Sequence, residues 1–171
     1  MHGARDRSFF RWCGSISQNV HTGDIVVPDK AFIDEGTSRH YRADETIPAY
    51  PSDSLLGKTK SALSQANLSF HQGAVWSTDA IYRETRDKIR KYQDKQVLAV
   101  EMEVSALFTV AQFRNAELAA ILAVSDELAS LTWKPGFRNE RFAQARQSVY
   151  ETPPELSLTK KDLRNFKSRR S

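Results

Sequence analysis

Acidic side chains follow two apolar segments near the middle of the chain. Glu101 and Glu103 come directly after the apolar run at 97–100, and Asp126 follows a second apolar run at 118–124. In open α/β sheets, ligands bind beyond the carboxyl ends of the strands, so these carboxylates are candidates for holding a polar ligand. The alternative is structural, with Glu103 favouring a helix N-terminus and Asp126 capping the next segment. The residues alone do not choose between the two.

The segments around these acids predict a strand, a helix and a second strand. The runs at 97–100 and 118–124 have the length and apolar content of buried strands, and residues 103–113 are apolar on most faces of a helix. A unit of this kind would place its two strands parallel in a sheet that is covered on both faces. The pattern therefore indicates an α/β fold.

Other segments predict the elements around this unit. Residues 31–41 comprise a short apolar segment followed by a polar loop, for which solvation is the favoured interpretation and binding of an anion or a sugar is the alternative. The remaining periodic segments predict a strand at 25–27 ended by Pro28, a helix at 52–66, a strand at 68–77, a charged helix at 79–92 and a last helix at 138–149.

Two motifs at matching spacing resemble the purine nucleoside phosphorylase and uridine phosphorylase family. These are the Val-Glu-Met-Glu-Val-Ser-Ala string at 100–106 and the Val-Ser-Asp string at 124–126. The resemblance implies an α/β, three-layer phosphorylase/hydrolase-like fold with a central twisted mixed sheet flanked by helices, here lacking its first strands. It also implies cleavage of a nucleoside by inorganic phosphate, a co-substrate and not a cofactor, to a free base and ribose 1-phosphate.

The resemblance assigns the sugar and base contacts to three residues. Glu103 matches the carboxylate that accepts hydrogen bonds from the ribose hydroxyls, and Met102 matches the residue that packs on the sugar. Asp126 matches the acid that protonates or hydrogen-bonds a purine, a role for which partial burial would raise its pKa. The Ser125-Asp126 pair therefore favours a purine substrate over a pyrimidine.

Two further residues match the family less closely. Trp76 falls at a position where an aromatic ring stacks on the base, and a tryptophan packed in the core is the equally favoured alternative. Pyrimidine enzymes of the family read the base with a glutamine and an arginine, and only Arg86 approximates that arginine.

The phosphate elements of the family are largely missing from the chain. In the glycine turn that binds phosphate, Gly14 takes the last position, Trp12 replaces the hydroxyl residue and Phe9 replaces the arginine. Arg11 lies nearby but out of register. The predicted domains are an atypical segment at 1–12, a partial phosphorylase-like domain at 13–150 and a basic, flexible tail at 151–171. A truncated or mis-started reading frame would produce a segment such as 1–12.

Composition restricts the partners of the chain. The net charge of +4 is concentrated in residues 151–171, which carry six basic and three acidic side chains, so a role in binding nucleic acid is poorly supported. Cys13 is the only cysteine, which fits a reducing, cytoplasmic setting, and no apolar run has the length of a membrane span. A sheet without its first strands would expose an edge, which predicts a homo-oligomer.

Three functions are compatible with these residues. The favoured one is phosphorolysis of a purine nucleoside, impaired by loss of the phosphate-binding part. The second is a nucleosidase of the same fold, which uses water. The third is a non-catalytic fragment that retains nucleoside binding or a protein interface.

Overall fold

The computed structural model of the chain describes residues 7–152, apart from residues 43 and 45. This part of the chain contains six strands and four α-helices, with single turns of 3-10 helix at Ser38–His40 and Ile81–Arg83. The elements in chain order are β1 (Arg7–Ser15), β2 (Ile25–Asp34), α1 (Asp53–Gln65), β3 (His71–Thr78), α2 (Arg86–Asp94), β4 (Ala99–Glu101), α3 (Val104–Phe113), β5 (Leu118–Glu127), β6 (Lys134–Pro135) and α4 (Glu140–Glu151).

The strands form one mixed sheet in the order β1-β4-β3-β2-β5-β6. β1 also pairs in parallel with β5 over its whole length, so the first five strands close into a ring. The remaining contacts of the ring are parallel between β2, β3 and β4, and antiparallel between β1 and β4 and between β2 and β5. This α/β architecture with a mixed sheet confirms the predicted fold class.

Alternate residues of β2 and β5 supply the two sides of the sheet. Val26 of β2 and Leu122 of β5 pack with Phe108 of α3, whereas Val27 and Ala123 point the other way toward α1 and α4. This alternation follows from the two-residue period of a strand, and it covers both faces of the sheet with helices. No helix in the described ranges is long and apolar enough to cross a membrane.

The predicted parallel arrangement of the central strands is wrong. The strand, helix and strand exist as β4, α3 and β5, but β1 lies between the two strands, antiparallel to β4 and parallel to β5. β4 and β5 therefore run in opposite directions. A local pattern cannot reveal this, because the inserted strand comes from a segment about 80 residues away in the chain.

The predicted boundary between residues 12 and 13 also differs from the structure. β1 runs through it, and Ser8 and Cys13 on either side of it are both buried. Because β1 pairs with β4 and with β5, it covers the edges that the sequence predicted to be exposed. Of the predicted tail at 151–171, Glu151 ends α4 and Thr152 follows it, while residues 153–171 lie outside the described part.

Two other element boundaries were predicted incorrectly. β2 continues past Pro28 to Asp34: Pro28 itself pairs with Gly73 of β3, and the register then shifts between Pro28 and Lys30, which leaves Asp29 as the extra residue of a bulge. The charged helix begins at Arg86 and not at residue 79, since the chain first makes a 3-10 turn at Ile81–Arg83. The hydroxyl of Thr85 then caps α2 by accepting a hydrogen bond from the amide of Lys88 at 3.4 Å.

Candidate active site

A cavity of about 460 Å³ opens where β1 meets β4 and β5. Gly14 of β1 pairs with Val100 on one side and with Asp126 on the other, so a single strand brings the ends of β4 and β5 together. Both charged and apolar side chains line this cavity. The lining comprises Phe10, Arg11, Trp12, Cys13, Gly14, Ile81, Glu84, Val100, Glu101, Met102, Glu103, Ser125, Asp126, Leu128 and Phe137.

Gly14 allows the backbone of β1 to lie against the carboxylate of Asp126. A Cβ atom at position 14 would stand 2.8 Å from Cδ1 of Leu128 and 3.0 Å from Oδ2 of Asp126. Contacts this short would move Asp126 away from the floor of the cavity. Gly14 is thus part of the cavity, and its predicted contact with phosphate stays a prediction.

Both carboxylate oxygens of Asp126 accept hydrogen bonds from the protein. The hydroxyl of Ser125 donates to Oδ1 at 2.6 Å, and the indole Nε1 of Trp133 donates to Oδ2 at 2.9 Å. Trp133 reaches this position because β6 pairs with Asp126 and Glu127 at the end of β5. The sequence analysis did not identify Trp133 as a site residue, since it lies in a segment that resembles an ordinary loop.

Met102 and Glu103 reach the cavity from the turn between β4 and α3. Glu103 accepts a hydrogen bond at 2.9 Å from Nη2 of Arg11, and both side chains are partly exposed to solvent. Met102 is 41% exposed, which is unusual for a thioether and leaves it available to a ligand. The structure therefore brings Met102, Glu103 and Asp126 to one cavity.

Glu101 is the buried group that orients this turn. Its carboxylate accepts hydrogen bonds from the amides of Glu103 at 2.7 Å and Val104 at 2.8 Å, and from the hydroxyl of Ser77. It thereby satisfies free N–H groups at the N-terminus of α3, the role that the sequence analysis considered for Glu103. Burial raises the pKa of Glu101 to about 7, opposed by its three hydrogen bonds and assisted by the charge of Glu103.

Glu84 is a further carboxyl in the cavity that the sequence analysis missed. It follows the 3-10 turn at Ile81–Arg83, in a run of charged residues that predicted a solvated helix face. Burial raises the pKa of Glu84 to about 7, and the charge of Asp126 acts in the same direction. The sequence pattern could not predict that Glu84 lines the cavity, because its placement depends on the 3-10 turn that precedes it.

Trp76 and Arg86 do not line the cavity. Trp76 is fully buried, stacks on Tyr92 with ring centroids 4.4 Å apart and donates from Nε1 to Oδ2 of Asp34 at 3.0 Å. It belongs to the core of this chain, as the alternative interpretation predicted. Arg86 is exposed at the first residue of α2, where the 3-10 turn separates it from the cavity.

The polar loop after β2 turns its groups inward. Glu35 is buried and accepts hydrogen bonds from the amides of Thr37 at 2.6 Å and Ser38 at 3.1 Å, and from the hydroxyl of Ser105 at 2.9 Å. The loop thus fastens β2 to α3 and leaves His40 exposed. In this structure its polar groups act in folding.

Comparison with known proteins identifies the family of this site. The family model described as the phosphorylase superfamily matches residues 8–153. The chain belongs to this superfamily. The match begins within β1, and it therefore includes residues 8–12 of the segment at 1–12 that was predicted to be atypical.

Curated relatives of the chain are bacterial and archaeal phosphorylases. A guanosine phosphorylase of Halorubrum lacusprofundi is 31% identical over 146 residues, which is 85% of this chain and 60% of the relative. A DeoD-type purine nucleoside phosphorylase of Brevibacillus brevis is 30% identical over 146 residues, covering 85% of this chain and 59% of the relative. The chain thus spans about 60% of the length of these relatives.

Solved structures share the fold. A Plasmodium knowlesi homologue of the P. falciparum PNP has a TM-score of 0.72 at 20% identity. The alignment covers 86% of this chain and 60% of the homologue. An AMP nucleosidase of Bacteroides thetaiotaomicron has a TM-score of 0.66 at 24% identity. The alignment covers 86% of this chain and 61% of the nucleosidase. At these identities the likeness concerns the fold alone.

Proposed function

We propose that this chain binds a nucleoside, preferentially a purine nucleoside, in the cavity and cleaves it by phosphorolysis to a free base and ribose 1-phosphate. The observation that carries this proposal is the convergence of Met102, Glu103 and Asp126 on one cavity of about 460 Å³. That volume suits a small polar ligand. The guanosine and purine nucleoside phosphorylases among its relatives support the same chemistry.

Each of the three residues has a role that its chemistry suits. Glu103 accepts hydrogen bonds from the ribose hydroxyls in place of the Arg11 guanidinium, a charge-assisted interaction. Met102 packs its exposed thioether on the sugar. Asp126, fixed by Ser125 and Trp133, hydrogen-bonds the base. A transition state with oxocarbenium character develops positive charge on the sugar, and the nearby carboxylates stabilise that charge.

Arg11 is the candidate for the phosphate contact. It lies two residues after Phe9, where the family arginine would fall, and residues two apart in a strand share a face. It is the only cationic side chain among the cavity-lining residues that the structure describes. A phosphate bound here would exchange the Glu103 partner of Arg11 for its own oxygen atoms.

The charge of the cavity favours hydrolysis as a second candidate function. Glu84, Glu101, Glu103 and Asp126 face a single arginine, so an anionic co-substrate meets net negative charge when the acids are ionised. Water carries no charge and needs no cationic site. A non-catalytic, nucleoside-binding chain is the third candidate, because Arg11 is the one cationic residue of the described cavity lining and is already paired with Glu103.

An assay of inosine, adenosine and uridine with and without phosphate separates these candidates. Base release that requires phosphate and is faster for the purine nucleosides supports the proposal, whereas phosphate-independent release supports a nucleosidase. Nucleoside binding by calorimetry without turnover supports the third candidate. Sedimentation of the same sample tests the expected homo-oligomer.

Two variants connect any turnover to the cavity. Glu103→Gln and Asp126→Asn keep the size of each side chain and remove its charge, so both should lower kcat/KM by roughly 10²-fold or more. Asp53→Asn is a matched control, because Asp53 begins α1 and does not line the cavity. Turnover that both cavity variants leave unchanged would refute the assignment of the site.

A further inference from the structure

Glu84 differs from the other carboxyls of the cavity in having no partner in the part of the chain that the structure describes. Within the described ranges its side chain makes no hydrogen bond or ion pair, although it is partly buried. A carboxyl group in this position loses solvation without compensation from the protein, which favours its neutral, protonated form. Its pKa of about 7 reflects that burial and the nearby charge of Asp126.

The remaining charged groups of the cavity are all occupied. Arg11 pairs with Glu103 at 2.9 Å, and Glu101 accepts three hydrogen bonds from the turn at α3 and from β3. Asp126 accepts donors on both of its oxygens. Two protein groups thus already hold the carboxylate of Asp126 in place, whereas no described group holds the carboxyl of Glu84, which can meet a ligand directly.

We propose that Glu84, and not Asp126, delivers the proton to the departing base. This inference rests on the function proposed above and assigns a further catalytic residue to the same cavity. Asp126 is then the group that accepts a hydrogen bond from the base and orients it. The division follows a general pattern, in which two carboxyl groups of one site differ in environment and therefore in protonation.

In phosphorolysis, the proton that Glu84 gives to the base is replaced by the proton that phosphate loses. The bond between the anomeric carbon and the base nitrogen breaks, and its electron pair goes to the base. Glu84 gives its proton to a nitrogen of the five-membered ring, and an oxygen of hydrogen phosphate forms the new bond to the anomeric carbon. The proton that the phosphate group releases then restores Glu84 by way of solvent, leaving neutral base and ribose 1-phosphate.

A comparison of two substrates isolates this step. Inosine needs a proton on its departing base, whereas 7-methylguanosine already carries positive charge on that ring. Glu84→Gln, which has no carboxyl proton, should therefore lower kcat/KM for inosine by roughly 10²–10⁴-fold. It should change cleavage of 7-methylguanosine little. Asp126→Asn should slow both substrates, because it alters orientation of the base in each.

The pH profile of the full chain supplies a second readout. With wild type, kcat/KM for inosine should fall as the pH rises past about 7, where Glu84 loses its proton, and the profile for 7-methylguanosine should lack this limb. Glu84→Asp, which keeps the acid on a shorter side chain, should restore part of the inosine activity. Asp87→Asn is the matched control, since Asp87 lies outside the cavity lining on the first turn of α2.

The outcomes separate this inference from the function on which it rests. A wild-type chain that cleaves neither nucleoside overturns both the function and the role of Glu84. A wild-type chain that cleaves both, with a Glu84→Gln variant that cleaves inosine at the wild-type rate, overturns the role of Glu84 alone. Equal losses on both substrates also overturn it, since they indicate a structural defect, which a thermal melt of the variant would reveal.

Discussion

Replacement of Glu101 by glutamine tests how the fold holds the turn between β4 and α3, which carries Met102 and Glu103. The carboxyl group is 5% exposed and receives three hydrogen bonds, two of them from the amides of Glu103 and Val104. Glutamine keeps one acceptor oxygen for these amides but cannot ionise. Its amide nitrogen would face the hydroxyl of Ser77, which already accepts a hydrogen bond from Ser105 at 2.8 Å.

The pKa of Glu101 determines how this group contributes to stability. Because its folded-state pKa of about 7 lies above the ordinary value of 4.5, the folded chain keeps a proton that the unfolded chain releases between these pH values. The contribution is therefore fully present below about pH 4.5 and is lost as the pH rises to about 7. At 1.36 kcal/mol for each pH unit, the loss over this interval amounts to about 3 kcal/mol.

Urea denaturation at pH 4.5, 5.5, 6.5 and 7.5 measures this loss. The free energy of unfolding of the wild type should fall across this range relative to that of Glu101→Gln, with the same slope against urea in both chains. Glu84→Gln is a useful control, because the pKa of Glu84 is also raised but its carboxyl is more exposed than that of Glu101. Its effect on the pH dependence of the free energy of unfolding should therefore be smaller. Parallel curves for wild type and Glu101→Gln would refute the reasoning.

Three further variants or probes test the packing around the site. Trp76→Phe should lower the free energy of unfolding by about 2–3 kcal/mol, since the ring is fully buried and hydrogen-bonded, and should leave nucleoside affinity little changed in calorimetry. Arg11→Ala should change the free energy of unfolding in urea by less than about 1 kcal/mol, because its ion pair with Glu103 is exposed. The thiol of Cys13 should react with a disulfide reagent only in denaturant, because burial raises its pKa well above the ordinary value.

Specific outcomes would contradict each of these expectations. A stable Trp76→Phe chain with weakened nucleoside binding would support the alternative interpretation, in which Trp76 stacks on the base. A large loss of stability in Arg11→Ala would mean that the ion pair with Glu103 acts in the fold as well as in the site. Rapid modification of Cys13 in the native chain would show that the floor of the cavity opens.

Local sequence patterns predicted where the candidate site residues lie along the chain, because neighbouring residues determine where a strand ends. The resemblance to the family supplied their proposed roles. Met102 and Glu103 follow directly from a strand into the first turn of a helix, and Asp126 lies at the end of the next strand. An apolar run and the residues that end it are enough to define such positions. The mixed α/β fold could be predicted on the same basis.

Only the tertiary structure decided which other groups share the cavity. β1 inserts between β4 and β5, which brings Arg11 and Gly14 to the site and makes two consecutive strands of the chain run in opposite directions. Pairing between segments about 80 to 110 residues apart has no local signature in the sequence. Likewise, Glu84 reaches the cavity after a 3-10 turn, and Trp133 reaches the carboxylate of Asp126 from the residue before a two-residue strand. Both elements are too short to show a period.

The sequence by itself therefore determined the family, the α/β class and the three residues on which the proposed chemistry depends. The ring of strands determined their surroundings: the buried Glu101 that holds the turn, the donors that occupy Asp126, and Glu84 in the same cavity, which has no partner among the described residues. The physical reason is that residue identity at a strand end is a local property. Burial and hydrogen bonding at that end depend on which distant segments pack against it.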